Sequence, residues 1–307
     1  MIESRNRAPR ADDAAGALFG KILVATDGSG PARAACRAAA DLAQRSRAEL
    51  HVAHVWNASM PGTHLIRMPS TRAAWCEQKA GELVSSEVEL IEDSGARVEG
   101  AHSTSGDIEG GICSLAREIG AHVLVVGSRN LGLAGRLADG SVSERVARLS
   151  LCPVLLTQDR AEGWPPARVV AGVDFSEDSL TAARFGAALG RLYDAPTLLV
   201  NAHPPLQFGQ KALASGGSRP DSEVRKAREL LVRVGLKIED ELGEIPDVKT
   251  VLGDPGASIL AAAGGGAQPV LAAVGSRGLG TLGRLASGSV STAVMRGAPG
   301  PVLVYRQ

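Results

Sequence analysis

The feature that most constrains the fold is an internal repeat that spans nearly the whole 307-residue chain. The segment KILVATDGSG at 21–30 has a counterpart in RVVAGVDFSE at 168–177, and the segment 122–158 recurs at 269–307. Each copy has the length of an ordinary domain. The sequence therefore predicts two domains of the same fold, at 20–158 and 168–307, preceded by a flexible tail at 1–19. The stretch DRAEGWPPA at 159–167 is typical of an exposed linker.

Within each copy, short apolar runs rich in β-branched residues alternate with longer segments of helical periodicity. This alternation predicts an α/β fold in which each domain is a five-stranded, parallel, Rossmann-like sheet covered by helices on both faces. The strands are expected near 21–26, 50–56, 97–102, 122–127 and 153–158, and near 168–173, 197–202, 247–252, 269–274 and 301–306. The helices of the first half are expected near 31–46, 72–94, 107–119 and 140–149.

Charge and composition exclude several classes of function. Lys plus Arg and Asp plus Glu both number 33, so we expect no global basic field for nucleic acid or for an anionic membrane surface. No apolar run approaches the ~20 residues of a membrane span, and the polar N-terminus lacks a signal-like core. A cytoplasmic location is the expectation. The four cysteines form no CxxC pair, which argues against a metal site.

A GxGxxG match at Gly278–Gly283 suggests at first a dinucleotide-binding fingerprint. That fingerprint requires the first strand of a βαβ unit before it and an acidic residue about 20 positions after it. Here the match follows the fourth predicted strand of its half, and no Asp or Glu occurs after Gly283. A dehydrogenase is therefore not predicted.

The glycines fit a different pattern, GxxGx9G[ST], formed by Gly275, Gly278, Gly288 and Ser289. Glycines allow close approach of the backbone, and a helix N-terminus presents unpaired N–H groups with a partial positive charge. Together they predict a phosphate site that needs no net basic protein. The Ser289 hydroxyl could bind phosphate or cap the helix, and both roles stay open. The first half repeats the pattern with Gly127, Gly140 and Ser141, but Asn130 replaces its second glycine.

The repeated plan, the Asp after each first strand (Asp27 and Asp174) and the glycine pattern before each last helix resemble the universal stress proteins, and most of all their tandem two-domain members. The resemblance implies ATP, with or without Mg²⁺, as the ligand, its phosphates on the glycine loop and its adenine near the ends of strands one and two. The position after strand two is taken as Val55 and His203. The residues implied to bind ATP are Thr26, Asp27, Val55, Gly127, Asn130, Gly140, Ser141, Val142, Val173, Asp174, His203, Gly275, Arg277, Gly278, Gly288, Ser289 and Val290.

Three functional hypotheses follow from the resemblance. The favoured one is an ATP-binding regulator in stress response or growth arrest, with adenine nucleotide as the ligand in both halves. A slow ATPase is the second, but the sequence offers few candidates for a base and a metal-binding carboxylate near a γ-phosphate. The third is a nucleotide-independent dimerising scaffold, which Asn130 favours slightly. The family also implies that Pro153–Thr157 pairs with Pro301–Tyr305 within one chain. A homodimer of two chains is compatible with the family, and the sequence leaves it open.

Overall fold

The computed structural model describes residues 11–57, 70–128, 141–159, 163–204, 220–264, 266, 268–276 and 289–307. Helices in the first half are α1 (Ala11–Ala17), α2 (Gly30–Ser46), α3 (Ser70–Asp93), α4 (Ile108–Glu118) and α5 (Val142–Leu149). Its strands are β1 (Lys21–Ala25), β2 (Glu49–Trp56), β3 (Val98–Ser105), β4 (Val123–Ser128) and β5 (Val154–Gln158).

The second half repeats this order from β6 onwards. Its strands are β6 (Arg168–Gly172), β7 (Thr197–His203), β8 (Asp247–Leu252), β9 (Val270–Gly275) and β10 (Val302–Tyr305). Its helices are α6 (Glu177–Leu192), α7 (Pro220–Leu242), α8 (Pro255–Ala263) and α9 (Ser289–Gly297). The predicted α/β fold and the order of its strands are confirmed. Within the described ranges, no helix is both long and apolar enough to cross a membrane.

The ten strands of the described residues form one sheet in the order β3-β2-β1-β4-β5-β10-β9-β6-β7-β8. The pairs within each half are parallel. The two halves meet at β5 and β10, which pair antiparallel with Leu303 opposite Leu155. The predicted pairing of the two last strands is therefore confirmed. Since each of these strands would otherwise be an exposed apolar edge, the pairing protects both from other chains.

The strands are apolar on both faces because helices cover both faces of the sheet. On one face Leu155 and Leu303 lie in a core that also contains Leu42 of α2 and Leu189 of α6. On the other face Leu156 belongs to a second core, shared with α4, α5, α8 and α9. Both cores run across the β5–β10 seam without interruption. The two halves are thus joined by hydrophobic packing as well as by the linker.

The prediction of a flexible tail over 1–19 is wrong for residues 11–19, which the structure describes. Residues 11–17 form α1, and both Ala15 and Phe19 are fully buried. The Phe19 ring packs edge-on against Phe185 of α6, with 5.6 Å between the ring centroids. A short alanine-rich segment with one aromatic residue carries little periodicity. Its structure depends on a partner in the other half, which local sequence does not reveal.

The linker region contributes a polar contact between the halves. Asp41 of α2 accepts hydrogen bonds from Trp164 Nε1 at 2.8 Å and from Tyr193 Oη at 2.6 Å. The Arg45 guanidinium lies 4.6 Å from the centroid of the Tyr193 ring. Burial and the neighbouring Asp41 carboxylate raise the pKa of Tyr193, so this phenol keeps its proton and remains a donor. These contacts attach the start of the second half to α2.

Two histidines link β2 to the edge strand β3. His51 Nδ1 and His102 Nε2 are 3.1 Å apart, so one nitrogen donates to the other. Burial, followed by the neighbouring charges of His102 and Lys21, lowers the pKa of His51, while Glu49 and Glu99 act weakly in the opposite direction. The folded state therefore binds a proton at His51 less readily than the unfolded chain does.

The lowered pKa of His51 predicts a pH dependence of stability. Its contribution is present above the unfolded value of about 6.5 and is lost as the pH falls through the lower folded-state pKa. Urea denaturation between about pH 7 and about pH 5 should show a steeper loss of unfolding free energy in the wild type than in His51→Gln. The exposed His122 provides the control, since His122→Gln should retain the wild-type slope. An unchanged slope in His51→Gln would show that another group titrates.

Candidate functional site

Each half contains a cavity at the carboxyl ends of its strands. In the first half β1 lies between β2 and β4, and in the second half β6 lies between β7 and β9. The strand order reverses beside β1 and beside β6. Open α/β sheets bind ligands at such topological switch points. The first cavity has a volume of about 230 Å³ and the second about 160 Å³. These volumes lie below the ~300 Å³ usual for drug-sized ligands, so they suit part of a ligand such as a base.

The first cavity is built around the turn that follows β1. Thr26 is buried, and its carbonyl oxygen lies 2.8 Å from His54 Nδ1. Because a carbonyl only accepts, His54 must carry its proton on Nδ1. The Thr26 hydroxyl accepts from Gly28 N at 3.1 Å, and Gly28 has a left-handed φ of 74°. These bonds fix the backbone at the end of β1, beside the cavity.

The second cavity has the same construction with different side chains. Asn201 replaces His54, and its Nδ2 donates to the Val173 carbonyl at 2.7 Å. The left-handed position of Gly28 is taken by Phe175, with a φ of 68°. A bulky residue in this region is strained, and Phe175 forms part of the cavity wall. The two cavities therefore share a backbone plan but offer a ligand different surfaces.

The two predicted aspartates shape the turns into the next helices. Asp27 Oδ1 accepts from Ser29 N at 3.0 Å, and Ser29 is the N-cap of α2. Asp174 Oδ1 accepts from Ser176 N at 3.0 Å and from Ser176 Oγ at 2.6 Å, and Ser176 is the N-cap of α6. Both aspartates also line their cavities. Each carboxylate thus has one oxygen engaged in its own turn.

The predicted equivalence of Val55 and His203 is wrong. Gly106 N donates to the Trp56 carbonyl at 2.9 Å, and Gly253 N donates to the His203 carbonyl at the same distance, so Trp56 corresponds to His203. Val55 then corresponds to Ala202. All four residues line the cavities. The predicted alignment of the second strands of the two halves was therefore shifted by one residue. Strand pairing fixes this alignment, and the two strand sequences are too dissimilar to show it.

Gly127 and Gly275 line the cavities, but a steric reason explains why they are glycines. A Cβ at Gly127 would lie 2.3 Å from the Pro31 carbonyl oxygen, and one at Gly275 would lie 2.5 Å from Ser179 N. Both neighbours are backbone atoms at the start of the helix after the first strand. These glycines therefore let the fourth strand of each half approach that helix closely.

The last helix of the first half begins beside the first cavity. Ser141 is the N-cap of α5, and its Oγ accepts from Glu144 N at 3.3 Å. Ser141 and Val142 both line the cavity. In the second half α9 begins at Ser289, and Val290 lines the second cavity. The predicted residues Asn130, Gly140, Arg277, Gly278 and Gly288, and the side chain of Ser289, lie outside the part of the chain that the structure describes.

A helix that no sequence motif marked as part of the site covers each cavity. Ile108 and Ile112 of α4 line the first cavity, and Pro255 and Ile259 of α8 line the second. Asp107 and Asp254 cap these helices, in the strand-to-helix turns GDIEGG and GDPGAS. In both helices the lining apolar residues are the first and the fifth. This spacing places them on one face of the helix and could have indicated that the helix lines the cavity. Each cavity thus combines an apolar slot with a helix N-terminus.

Among the described side chains, no three His, Cys, Asp or Glu residues are placed to hold a metal ion. Burial raises the pKa of the Cys36 thiol to about 12, so this thiol stays protonated at neutral pH.

The family of the chain follows from comparison with known proteins. The model of the Universal stress protein family matches residues 18–158 and again residues 167–306. Universal stress protein Rv2005c of Mycobacterium tuberculosis is 30% identical over 300 residues, which cover 93% of this chain and 97% of that protein. Universal stress protein YxiE of Bacillus subtilis is 30% identical over 149 residues, 46% of this chain and all of that protein.

A solved structure supports the same architecture. A universal stress protein from Archaeoglobus fulgidus has a TM-score of 0.67 and 21% sequence identity, and the alignment covers 94% of this chain and 98% of that one. At this identity the likeness concerns the fold. Together with the two family matches, it defines the class: the chain belongs to the universal stress protein family, as a tandem of two family domains.

Proposed function

We propose that each half of the protein binds an adenine nucleotide, with ATP as the preferred ligand. The observation that carries this proposal is the pair of equivalent cavities at the switch points of the sheet. Each one adjoins the turn after the first strand and the start of the last helix. A ligand with a planar base and an anionic tail matches both surfaces.

The residues present fit such a ligand. Val55 and Ile112 in the first half, and Ala202 and Ile259 in the second, provide an apolar slot for the base. Ser141 would offer its hydroxyl to a phosphate while it continues to accept from Glu144 N, because a hydroxyl both donates and accepts. ATP supplies the negative charge that the N-terminus of α5 favours. Any Mg²⁺ would arrive with the phosphates.

We propose a regulatory role in stress response or growth arrest rather than rapid catalysis. Asp27 and Asp174 are the carboxylates nearest the turns after the first strands, and hydrogen bonds to Ser29 and Ser176 hold them there. This arrangement favours a structural role for both. Nucleotide occupancy would then set the conformation of the surface around each cavity, and so the choice of partners. Association of two chains stays a prediction of the family resemblance.

Nucleotide stoichiometry tests the proposal directly. Mass spectrometry of denatured, purified protein should identify a copurifying adenine nucleotide, and equilibrium dialysis with ATP should saturate at two per chain. Ala202→Trp should fill the second cavity and lower the stoichiometry by one. The matched control is Ala101→Trp, at an exposed position of edge strand β3, which should leave it unchanged. A wild-type protein that neither carries nor takes up nucleotide would refute the proposal.

A further inference from the structure

Glu144 connects the first cavity to the second half of the chain. It is the third residue of α5, and its side chain is only 9% exposed. Its carboxylate accepts from Arg296 Nη2 at 3.0 and 3.1 Å and from Arg296 Nε at 3.2 Å. Arg296 lies in α9, the helix that begins at Ser289. The last helices of the two halves are therefore joined directly by a forked ion pair.

The reciprocal contact is weaker. SVSERVAR at 141–148 aligns with SVSTAVMR at 289–296, so Thr292 occupies the position of Glu144 and Arg296 that of Arg148. Arg148 Nη2 donates to Thr292 Oγ1 at 3.3 Å and also pairs with Glu144 within α5. The contact between the halves thus has one carboxylate for two guanidinium groups. The approximate symmetry of the repeat is broken at this point.

The position of Glu144 matters for the first cavity. Its backbone N–H is bonded to Ser141 Oγ, so the carboxylate belongs to the same helical turn that would face a phosphate. A negative charge there stabilises the free helix but opposes a bound anion. The positive charge of Arg296 offsets the negative charge of Glu144. The hydrogen bonds from the Arg296 guanidinium to the Glu144 carboxylate also fix the position of the first turn of α5. A guanidinium from the second half therefore sets both the charge and the position of this turn.

We propose that Arg296 is a positioning residue for the nucleotide site of the first half, which is incomplete without the second half. The inference rests on the proposed function and deepens it. Arg296 holds Glu144, and Glu144 holds the turn that begins at Ser141. In return, the described part of the second half offers a hydroxyl rather than a carboxylate, since Arg148 donates to Thr292 Oγ1. The two sites consequently differ, and the first depends on the contact between halves.

The test compares two arginine substitutions in the Ala202→Trp background, which leaves only the first cavity open. Arg296→Met should weaken ATP binding about five- to tenfold in equilibrium titration. The matched control is Arg148→Met, which also removes one positive charge beside Glu144 but leaves the forked pair to α9. It should change the dissociation constant less than about twofold. Equal losses in the two variants would overturn the positioning role and indicate a simple charge effect.

Further measurements separate positioning from general destabilisation. Arg296→Lys keeps the charge but not the planar fork, so it should bind ATP more weakly than wild type and more tightly than Arg296→Met. In the chain without Ala202→Trp, Arg296→Met should leave the affinity of the second site unchanged, whereas a loss of stability alone would weaken binding at both sites.

If wild type binds no nucleotide, the proposed function fails. If it binds and Arg296→Met retains wild-type first-site affinity, or if Ala202→Trp abolishes all binding, this inference fails.

Discussion

Replacing Gly127 with alanine is expected to lower the free energy of unfolding by about 3 kcal/mol or more. The added Cβ would lie 2.3 Å from Pro31 O, 2.4 Å from Pro31 C and 2.6 Å from Ala32 N. These atoms belong to the first turn of α2, which cannot move without disturbing the core that α2 covers. Chemical denaturation followed by circular dichroism measures the loss.

The equivalent glycine of the second half allows the same test, and a glycine in α3 provides the control. Gly275→Ala should be similarly destabilising, because its Cβ would lie 2.5 Å from Ser179 N and 2.7 Å from Asp178 C. Gly81 lies in α3, and a Cβ there meets no atom within 4 Å. Gly81→Ala should therefore stabilise the protein by about 0.5–1 kcal/mol. Tolerance of alanine at both Gly127 and Gly275 would disprove the close approach.

This result would also affect how the glycine pattern is tested. Gly127 and Gly275 open the GxxGx9G[ST] pattern and line the cavities, yet their substitution should damage the fold. A loss of nucleotide binding in those variants would therefore not locate the phosphates. Substitutions at Gly278 and Gly288, which the sequence predicts to contact phosphate, or at Ala202 in the described wall, are better tests of binding.

Replacing Gln158 with leucine is expected to cost about 2–3 kcal/mol of unfolding free energy. Gln158 is the last residue of β5 and is buried. Its Nε2 donates to the Ala298 carbonyl at 3.0 Å and to the Gly300 carbonyl at 3.1 Å, both in the turn between α9 and β10. Leucine would leave these two acceptors without that donor at the junction of the halves.

An exposed glutamine provides the matched control for Gln158→Leu. Gln44 Nε2 donates to the Ser94 carbonyl at 3.2 Å, but this bond is exposed and water can replace it. Gln44→Leu should therefore change the unfolding free energy by less than about 0.5 kcal/mol. Urea denaturation of both variants makes the comparison. Similar values for the two would mean that the Gln158 bonds contribute no more than a surface contact.

The fate of the predicted site residues illustrates what local sequence can specify. Thr26, Val142, Val173 and Val290, which the resemblance implies to bind ATP, line the cavities, because the ends of the first strands and the starts of the last helices were placed within about two residues. The error at His203 arose where a single residue of register decides which side chain faces the ligand. His54 and Asn201 were missed for a related reason: their hydrogen bonds join neighbouring strands, and no motif marks them.

The sequence by itself determined the tandem repeat, the order of strands and helices, the family resemblance and the ends of the strands where a ligand would bind. These properties depend on periodicity and on residues close together in the chain. The tertiary structure decided that α1 docks through Phe19 on Phe185, that Gly127 lies against Pro31, and that Arg296 holds Glu144. Each of these contacts joins residues far apart in sequence, so it exists only once the sheet has set their distance and direction.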